Sequence, residues 1–522
     1  MSVRVVTARE AAELDATAIA RGVSSRELMR AAGEGAAQLL VERFPLEAER
    51  GVAVFTGGGN NGGDGWVLAA ALARRGVRVR VAEIVPSGTP DARAARESAS
   101  TQLAHQEPDG TEGVLVDALL GTGARDAPRD AVAAAIERIE ARRGMPETYG
   151  SVVQVVSLDV PSGLDATSGA TPGVSVRADL TVAFGSVKRG LLLNRAACGA
   201  IAVVDIGLAP DSASPVPPVL VDAAYARDVV PRIAADAHKG TRRRLVIVGG
   251  ARGMAGAVIL ASRAARRSGI GMVRLCVAPE SLVAVQAAEP AATAVAWPVS
   301  EPEYQALFEW AHVLLVGPGL GTDPHAHAMV KRFVAGTTCP VVLDADALPL
   351  QLGRRGTSQL ADLLAERAAV LTPHVAECAR LMERSVDDVR RACFDVAAEL
   401  SRMAGGVVLL KGTPTVASDG ARCVVSASGT PVLATAGSGD VLAGIVATLL
   451  GQLPASRANA LAAAATGAWV HGRAAELAGA GTVRGVTLDD VVDALRSAWR
   501  LAPATSGLVL AELPSLDARG GR

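Results

Sequence analysis

Two short stretches concentrate the residue types that do chemistry. "TAGSGDVLAG", Thr435 to Gly444, places Asp440 directly after the turn Gly437-Ser438-Gly439 and ahead of an apolar run. A glycine turn opening a helix presents free N–H groups and a positive dipole end, which seat phosphate. A carboxylate at that seat either caps the helix or takes the proton of a hydroxyl attacking a phosphoryl group. "VLLKG" sets Lys411 at a strand end beside Gly412, where a cation meets a phosphate. In the first half, "SLDVPSGLDA" puts Asp159 and Ser162 at one strand end and "TVAFGSVKRG" puts Lys188 beyond another. Strand ends of a parallel sheet converge, so Asp159 and Lys188 read as an acid–base pair or as a structural salt bridge. "VDALLGTG" ends a further strand at Asp117.

"GGGNNGGDG" contains G-x-G-x-x-G at Gly57, Gly59 and Gly62, and Glu83 follows the next strand, where a ribose-binding acid would lie. Asn60, Asn61 and Asp64 exceed the needs of a pyrophosphate turn. Such side chains hold a cation or a ribose, although Gly and Asn also suit a plain tight turn. His374, after Pro373, reads as a structural histidine or a ligand contact. His238-Lys239-Gly240 reads as an exposed lead-in loop. His325 and His327, two residues apart with no third partner, read as surface residues.

The elements that must position these groups repeat in the two halves. "GVAVFTGGGNNGGDGWVLAAALARRGVRVRVAEIV" and "RRRLVIVGGARGMAGAVILASRAARRSGIGMVRLCVA" both run strand, glycine loop, helix, strand. Apolar strands alternating with amphipathic helices predict an α/β chain of two three-layer αβα domains. A length of 522 residues also exceeds one hydrophobic core. The Pro- and Ser-rich stretch before Tyr225 places the domains at 1–222 and 223–505, with 506–522 as a disordered tail. The formal net charge of −1 speaks against nucleic-acid or membrane-surface partners. Six scattered cysteines without a CxxC pair, no apolar leader and no long apolar span set the expectation of a cytoplasmic chain.

"NNGGDG", "DALLGTG", "PSGLDA" and "FGSVKRGLL", in this order from Met1 to about Leu208, resemble the YjeF N-terminal domain, the NAD(P)H-hydrate epimerases. The resemblance implies a Rossmann-like domain that interconverts the R and S hydrates of NADH and NADPH. It also implies a potassium ion (K+) held by Asn61, Asp117 and Ser162. The hydrate would lie among Asn60, Asn61, Gly62, Gly63, Asp64, Gly121, Thr122, Gly123, Ala124, Arg125, Asp126, Ala127 and Asp159, with Asp159 and Lys188 nearest the ring. "HKG", "GGARGMAGA", "GPGLG", "TPH", "LKG" and "AGSGDVLAG", from about Ala237 to His471, are similar to ribokinase-like NAD(P)H-hydrate dehydratases. By that likeness Lys411, Gly412, Thr413, Pro414, Thr415 and Gly439 bind ADP with magnesium (Mg2+). Ala257, Gly319, His374 and Asp440 bind the hydrate, and Asp440 is the catalytic base.

The fused pair resembles the bifunctional NAD(P)H-hydrate repair family, which implies small-molecule substrates and a homo-oligomer. The chain departs from the pattern at "ARDA" (Ala124 to Ala127), Pro349, Thr430, Val432 and Ala436. An ATP-dependent kinase of a sugar or hydroxymethyl compound is the competing enzyme reading. A nucleotide-sensing module without turnover is the competing non-enzymatic one.

Overall fold

The computed structural model describes residues 3–103, 107–145, 152–208, 216–349, 353–364, 367–501 and 507–516. Two compact units are present, Met1–Pro217 with Ala504–Arg522, and Pro218–Pro503. Each is a sheet with helices packed on it, as uninterrupted apolar strands require when both faces of a sheet are covered.

The first unit holds a seven-stranded sheet in the order Val509–Leu513, Ala200–Val204, Leu180–Phe184, Gln154–Leu158, Val114–Ala118, Val52–Thr56 and Val79–Glu83. All pairs are parallel except the first, which is antiparallel. The strand order reverses between Val52–Thr56 and Val114–Ala118. Such a switch point opens a crevice at the carboxyl ends of the two strands. A separate two-residue ladder pairs Val5 with Val187 and Val6 with Lys188.

The second unit holds a ten-stranded sheet. Its parallel body runs Thr293–Ala296, Met272–Val277, Arg244–Val248, Val313–Val316, Val341–Leu343, Ala369–Leu371, Val407–Leu410. The antiparallel strands Thr415–Ser418 and Cys423–Ser426 and the short Val219–Leu220 extend it. Here the order reverses between Arg244–Val248 and Val313–Val316. The helix Ser438–Gln452 is apolar on nearly every side and buried between the sheet and its neighbouring helices.

Two boundaries differ from the sequence expectation. The division falls at Pro217 rather than 222, because Val219–Leu220 pairs with Val424 and Val425 of the second sheet. Within the expected tail 506–522, Val509–Leu513 forms an edge strand on Ala200–Val204 of the first unit. Asp205 N–H donates to Leu508 O at 2.9 Å in the same ladder. Residues 517–522 lie outside the described residues.

Candidate active sites

In the first unit the switch point gathers the glycine loop, Asp117 and Ser162. The helix Asn60–Arg74 begins on "NNGGD", with Asn61 in its first turn and Asp64 just beyond it. Two backbones pass in contact there. A Cβ on Gly57 would lie 1.9 Å from Leu119 O, and one on Gly62 would lie 1.9 Å from Gly57 O. Only glycine fits either place. Asp117 is buried at the end of its strand and accepts from Ser157 Oγ (2.9 Å), Ser162 N (2.8 Å) and Ser162 Oγ (2.6 Å). Ser162 Oγ in turn accepts from Leu120 N, and Asn61 Nδ2 donates to Leu120 O, both at 2.9 Å.

Asn61, Asp117 and Ser162 therefore form one connected cluster. Burial pushes the Asp117 carboxyl above the usual range, against the pull of the Ser162 and Ser157 hydrogen bonds. Among the described residues no Arg, Lys or His pairs with it, and the buried Asn61 Oδ1 has no hydrogen-bond donor. A buried carboxylate without a countercharge beside an unpartnered amide oxygen suits a hard cation with oxygen ligands.

Lys188 and Asp159 come together. The Lys188 ammonium donates to Asp159 Oδ1 and, at 3.3 Å, to Phe184 O. Asp159 sits just past Gln154–Leu158 with φ +63°, a left-handed conformation that turns the chain sharply at the strand end. Asp64 is half-buried. Burial and the Asp159 and Asp15 carboxylates hold its carboxyl well above the usual range, with Lys188 opposing. Asn60 is exposed and accepts from Thr89 Oγ1 at 2.6 Å. Glu83, the candidate ribose acid, is occupied within the unit by Arg96 at 2.8 Å and the Ser87 N–H at 3.2 Å. The loop Gly121 to Ala127 starts over Asn61, where a Cβ on Gly121 would lie 3.2 Å from Asn61 Cβ, and leaves Arg125 and Asp126 exposed.

In the second unit the helix Ser438–Gln452 is entered through Gly437 at φ +89°, with Asp440 in its first turn. Lys411 Nζ donates to Asp344 Oδ1 at 2.9 Å, and a Cβ on Gly439 would stand 3.3 Å from that nitrogen. Asp344, buried, also accepts from Thr372 Oγ1 at 2.6 Å. Asp346, two residues on, accepts from Gly321 N–H at 2.8 Å, and Ala345 between them takes φ +47°. Burial and the Asp344 carboxylate push Asp440 up to about 7, with Asp346 adding to the rise and Lys411 opposing it. Burial alone would lower Lys411, but Asp344, Glu377 and Asp440 outweigh it and raise its pKa.

At the switch point of this sheet Gly317 has φ +125°, and a Cβ there would lie 1.7 Å from Asp344 O. A Cβ on Gly319 would fall 3.2 Å from Ala257 Cβ, so these two residues are neighbours. His374 caps the helix Val375–Met382, its Nδ1 accepting from Ala376 N and Glu377 N. It also bridges to Lys411, whose N–H donates to Pro373 O at 2.8 Å. Gly412 and Thr413 are exposed, and Thr415 Oγ1 donates to Gly412 O at 2.9 Å. His238 is exposed, and His325 and His327 lie in the helix Pro324–Ala335.

Several residues at these sites escaped the sequence reading. Asp344 and Asp346 stand in "LDADAL", two acids immediately after an apolar strand, which was the available signal. Ser157 precedes Asp159 in its own motif. His471, buried in the helix Arg457–Gly479 and pushed down to about 4 by burial and the Lys411 charge, had none.

Comparison with known proteins assigns both units. Residues 25–190 match the family model described as "YjeF-related protein N-terminus", and residues 245–497 match the one described as "NAD(P)H-hydrate dehydratase". The bifunctional NAD(P)H-hydrate repair enzyme of Coxiella burnetii is 35% identical over 508 residues, spanning 94% of this chain and 98% of that protein. That of Escherichia coli is 33% identical, over 91% and 90%. The ADP/ATP-dependent NAD(P)H-hydrate dehydratase structure from Bacillus subtilis covers 54% of this chain and 97% of its own at 24% identity, with a TM-score of 0.45. The chain belongs to the family of bifunctional NAD(P)H-hydrate repair enzymes.

Proposed function

We propose that the first unit interconverts the R and S hydrates of NADH and NADPH, and that the second dehydrates the S hydrate at the expense of ADP, giving AMP and phosphate. The observation that carries the reading is the placement of Asp440 beside Lys411 at a helix N-terminus, with a carboxyl that titrates near neutrality. A hydroxyl is a poor nucleophile until its proton is taken. Asp440 takes it as the hydroxyl oxygen attacks the terminal phosphoryl group of ADP. Lys411 and the N–H groups of Gly437 to Gly439 stabilise charge on the phosphoryl oxygens. The new phosphate ester is a good leaving group. The lone pair of the ring nitrogen expels it, and loss of the neighbouring ring proton restores the dihydropyridine.

In the first unit the Lys188–Asp159 pair exchanges protons with the hydrate hydroxyl, the step any inversion at that carbon requires. Asn61, Asp117 and Ser162 would hold K+, which would supply the positive charge that buried Asp117 lacks. Among the described residues no three His, Cys, Asp or Glu side chains are placed to hold a metal. Mg2+ fits as the companion of the nucleotide phosphates beside Asp440, where it would offset phosphate repulsion. Six scattered cysteines without a CxxC pair suit a reducing, cytoplasmic setting; a homo-oligomeric assembly rests on the family likeness alone.

The deciding experiment mixes the purified chain with racemic NADH hydrate, Mg2+ and K+, with ADP or ATP added separately, and follows dihydronicotinamide absorbance. Full recovery with ADP supports both activities. Recovery stopping near half leaves a dehydratase with a silent first unit. Accumulation of a phosphorylated product without dihydronicotinamide would favour the kinase reading.

A further inference from the structure

Three neighbouring strand ends of the second unit meet around one buried carboxylate. Asp344, Thr372 and Lys411 each stand one residue past a strand, and the strands Val341–Leu343, Ala369–Leu371 and Val407–Leu410 lie side by side in parallel. Leu343 pairs with Leu371, so Asp344 and Thr372 leave the sheet level with each other. The Asp344 N–H donates to Val316 O at 3.0 Å and the Thr372 N–H to Leu343 O at 3.1 Å, which pins both backbones. Asp344 Oδ1 accepts from Thr372 Oγ1 at 2.6 Å and from Lys411 Nζ at 2.9 Å. Only 2% of the Asp344 side chain is exposed. Ala345, left-handed at φ +47°, turns the chain there, and Asp346 goes elsewhere, to the Gly321 N–H.

Lys411 has three carboxylates within reach of its charge, Asp344, Glu377 and Asp440. Among the described residues Asp344 alone is in ion-pair contact with it. Glu377 is held at its own helix start, where the His374 N–H donates to Glu377 Oε2 at 2.8 Å and His374 Nε2 lies 3.4 Å from Oε1. Asp440 carries no ion pair among the described residues. It follows Gly439, where a Cβ would stand 3.3 Å from Lys411 Nζ. The lysine ammonium rides on a flexible four-carbon stem. Without Asp344, Asp440 is the carboxylate left for it to turn to. An ammonium bound to Asp440 would favour the ionised form and take away its basicity.

We propose that Asp344 is a positioning residue for dehydration: anchored on Thr372, it keeps the Lys411 ammonium at the phosphate seat and out of an ion pair with Asp440, which stays free to take the hydroxyl proton. The inference rests on the dehydratase reading of this unit. Asp344 acts through Lys411 and needs no contact with hydrate or nucleotide. Thr372 is the second link, because its hydroxyl fixes the oxygen that Lys411 meets. Asp346 lies outside the device, since its carboxylate holds the glycine loop at Gly321.

The test uses the full chain with S hydrate, ADP and Mg2+ at pH 8, follows dihydronicotinamide absorbance, and compares each variant in the wild type and in a Lys411→Met background. Lys411→Met alone is expected to lower kcat about a hundredfold. Asp344→Asn should lower kcat about tenfold or more in the wild type, with KM for the hydrate changed less than about threefold, and less than about twofold in Lys411→Met. Thr372→Val should show a smaller loss that also disappears in Lys411→Met. Asp346→Asn, which does not touch Lys411, should cost the same factor in both backgrounds. If Asp344→Asn melts below the assay temperature because Lys411 is left buried and unpaired, Thr372→Val, which keeps both charges, carries the comparison. Equal losses in both backgrounds, a near-wild-type kcat in Asp344→Asn, or an equally background-dependent loss in Asp346→Asn would each overturn the proposal. A wild-type chain that restores no dihydronicotinamide with ADP or ATP would instead overturn the dehydratase reading, and this proposal with it.

Discussion

At Asp440, the proposed base, catalysis and stability pull in opposite directions. Its carboxyl is raised from 3.8 to about 7, so the folded state disfavours the charged form that a base must adopt. The cost is absent below pH 3.8, grows as the pH rises toward 7 and is constant above. Asp440→Asn is therefore expected to abolish dehydration, spare epimerisation, and melt higher than wild type. The gain should be of order 1–3 kcal/mol at pH 8 and smaller at pH 5.5, read by thermal unfolding at both values. For the wild type, kcat/KM for dehydration is expected to rise with pH through about 7 as Asp440 loses its proton. Lys188→Ala has the converse signature: dehydration of the S hydrate survives while epimer interconversion falls.

At the scale of elements, the proposed cation cluster of Asn61, Asp117 and Ser162 joins one strand end, one helix start and two loops. Because burial raises Asp117, its negative charge costs stability increasingly as pH rises above 3.8. K+ held there, as proposed, would offset that cost. Exchanging K+ for tetramethylammonium is therefore expected to lower the melting temperature of the first unit more at pH 8 than at pH 5.5, and to slow epimerisation. Ser162→Ala should blunt both effects. In the second unit the helices Ser438–Gln452 and Ala255–Arg267 touch at Gly444, where a Cβ would fall 2.2 Å from Ala261 O. Gly444→Ala must push the helix that carries Asp440 away from its neighbour. A loss of ~2 kcal/mol and several degrees of melting temperature is expected.

At the scale of the whole molecule, the two reactions need a shared substrate pool rather than a shared site. Spontaneous hydration gives both epimers, and a stereospecific dehydratase leaves one behind until it is inverted. An equimolar mixture of Lys188→Ala and Asp440→Asn chains is therefore expected to return all of a racemic hydrate to NADH with ADP. Either variant alone should not, once spontaneous epimerisation is subtracted. Recovery by the mixture that stalls near half would mean that the hydrate must pass between sites on one chain.

The amino-acid sequence by itself determined the strand ends, the glycine turns and the class of each half. Apolar strands and glycine loops are local signals, and the motifs around Asp159, Lys188, Lys411 and Asp440 are continuous in the chain. Tertiary structure decided what these residues touch. Asp344 meets Lys411 across 67 residues of sequence. No local period encodes such contacts. The same holds for Val509–Leu513, whose partner strand Ala200–Val204 lies some three hundred residues earlier, so that an edge strand reads as a tail. Glu83 shows the limit from the other side. Its spacing invites a ribose, but Arg96, one helix further on, already holds it. The burial that raises Asp117, and the burial and neighbouring charges that raise Asp440, exist only once the sheets have brought distant strand ends together.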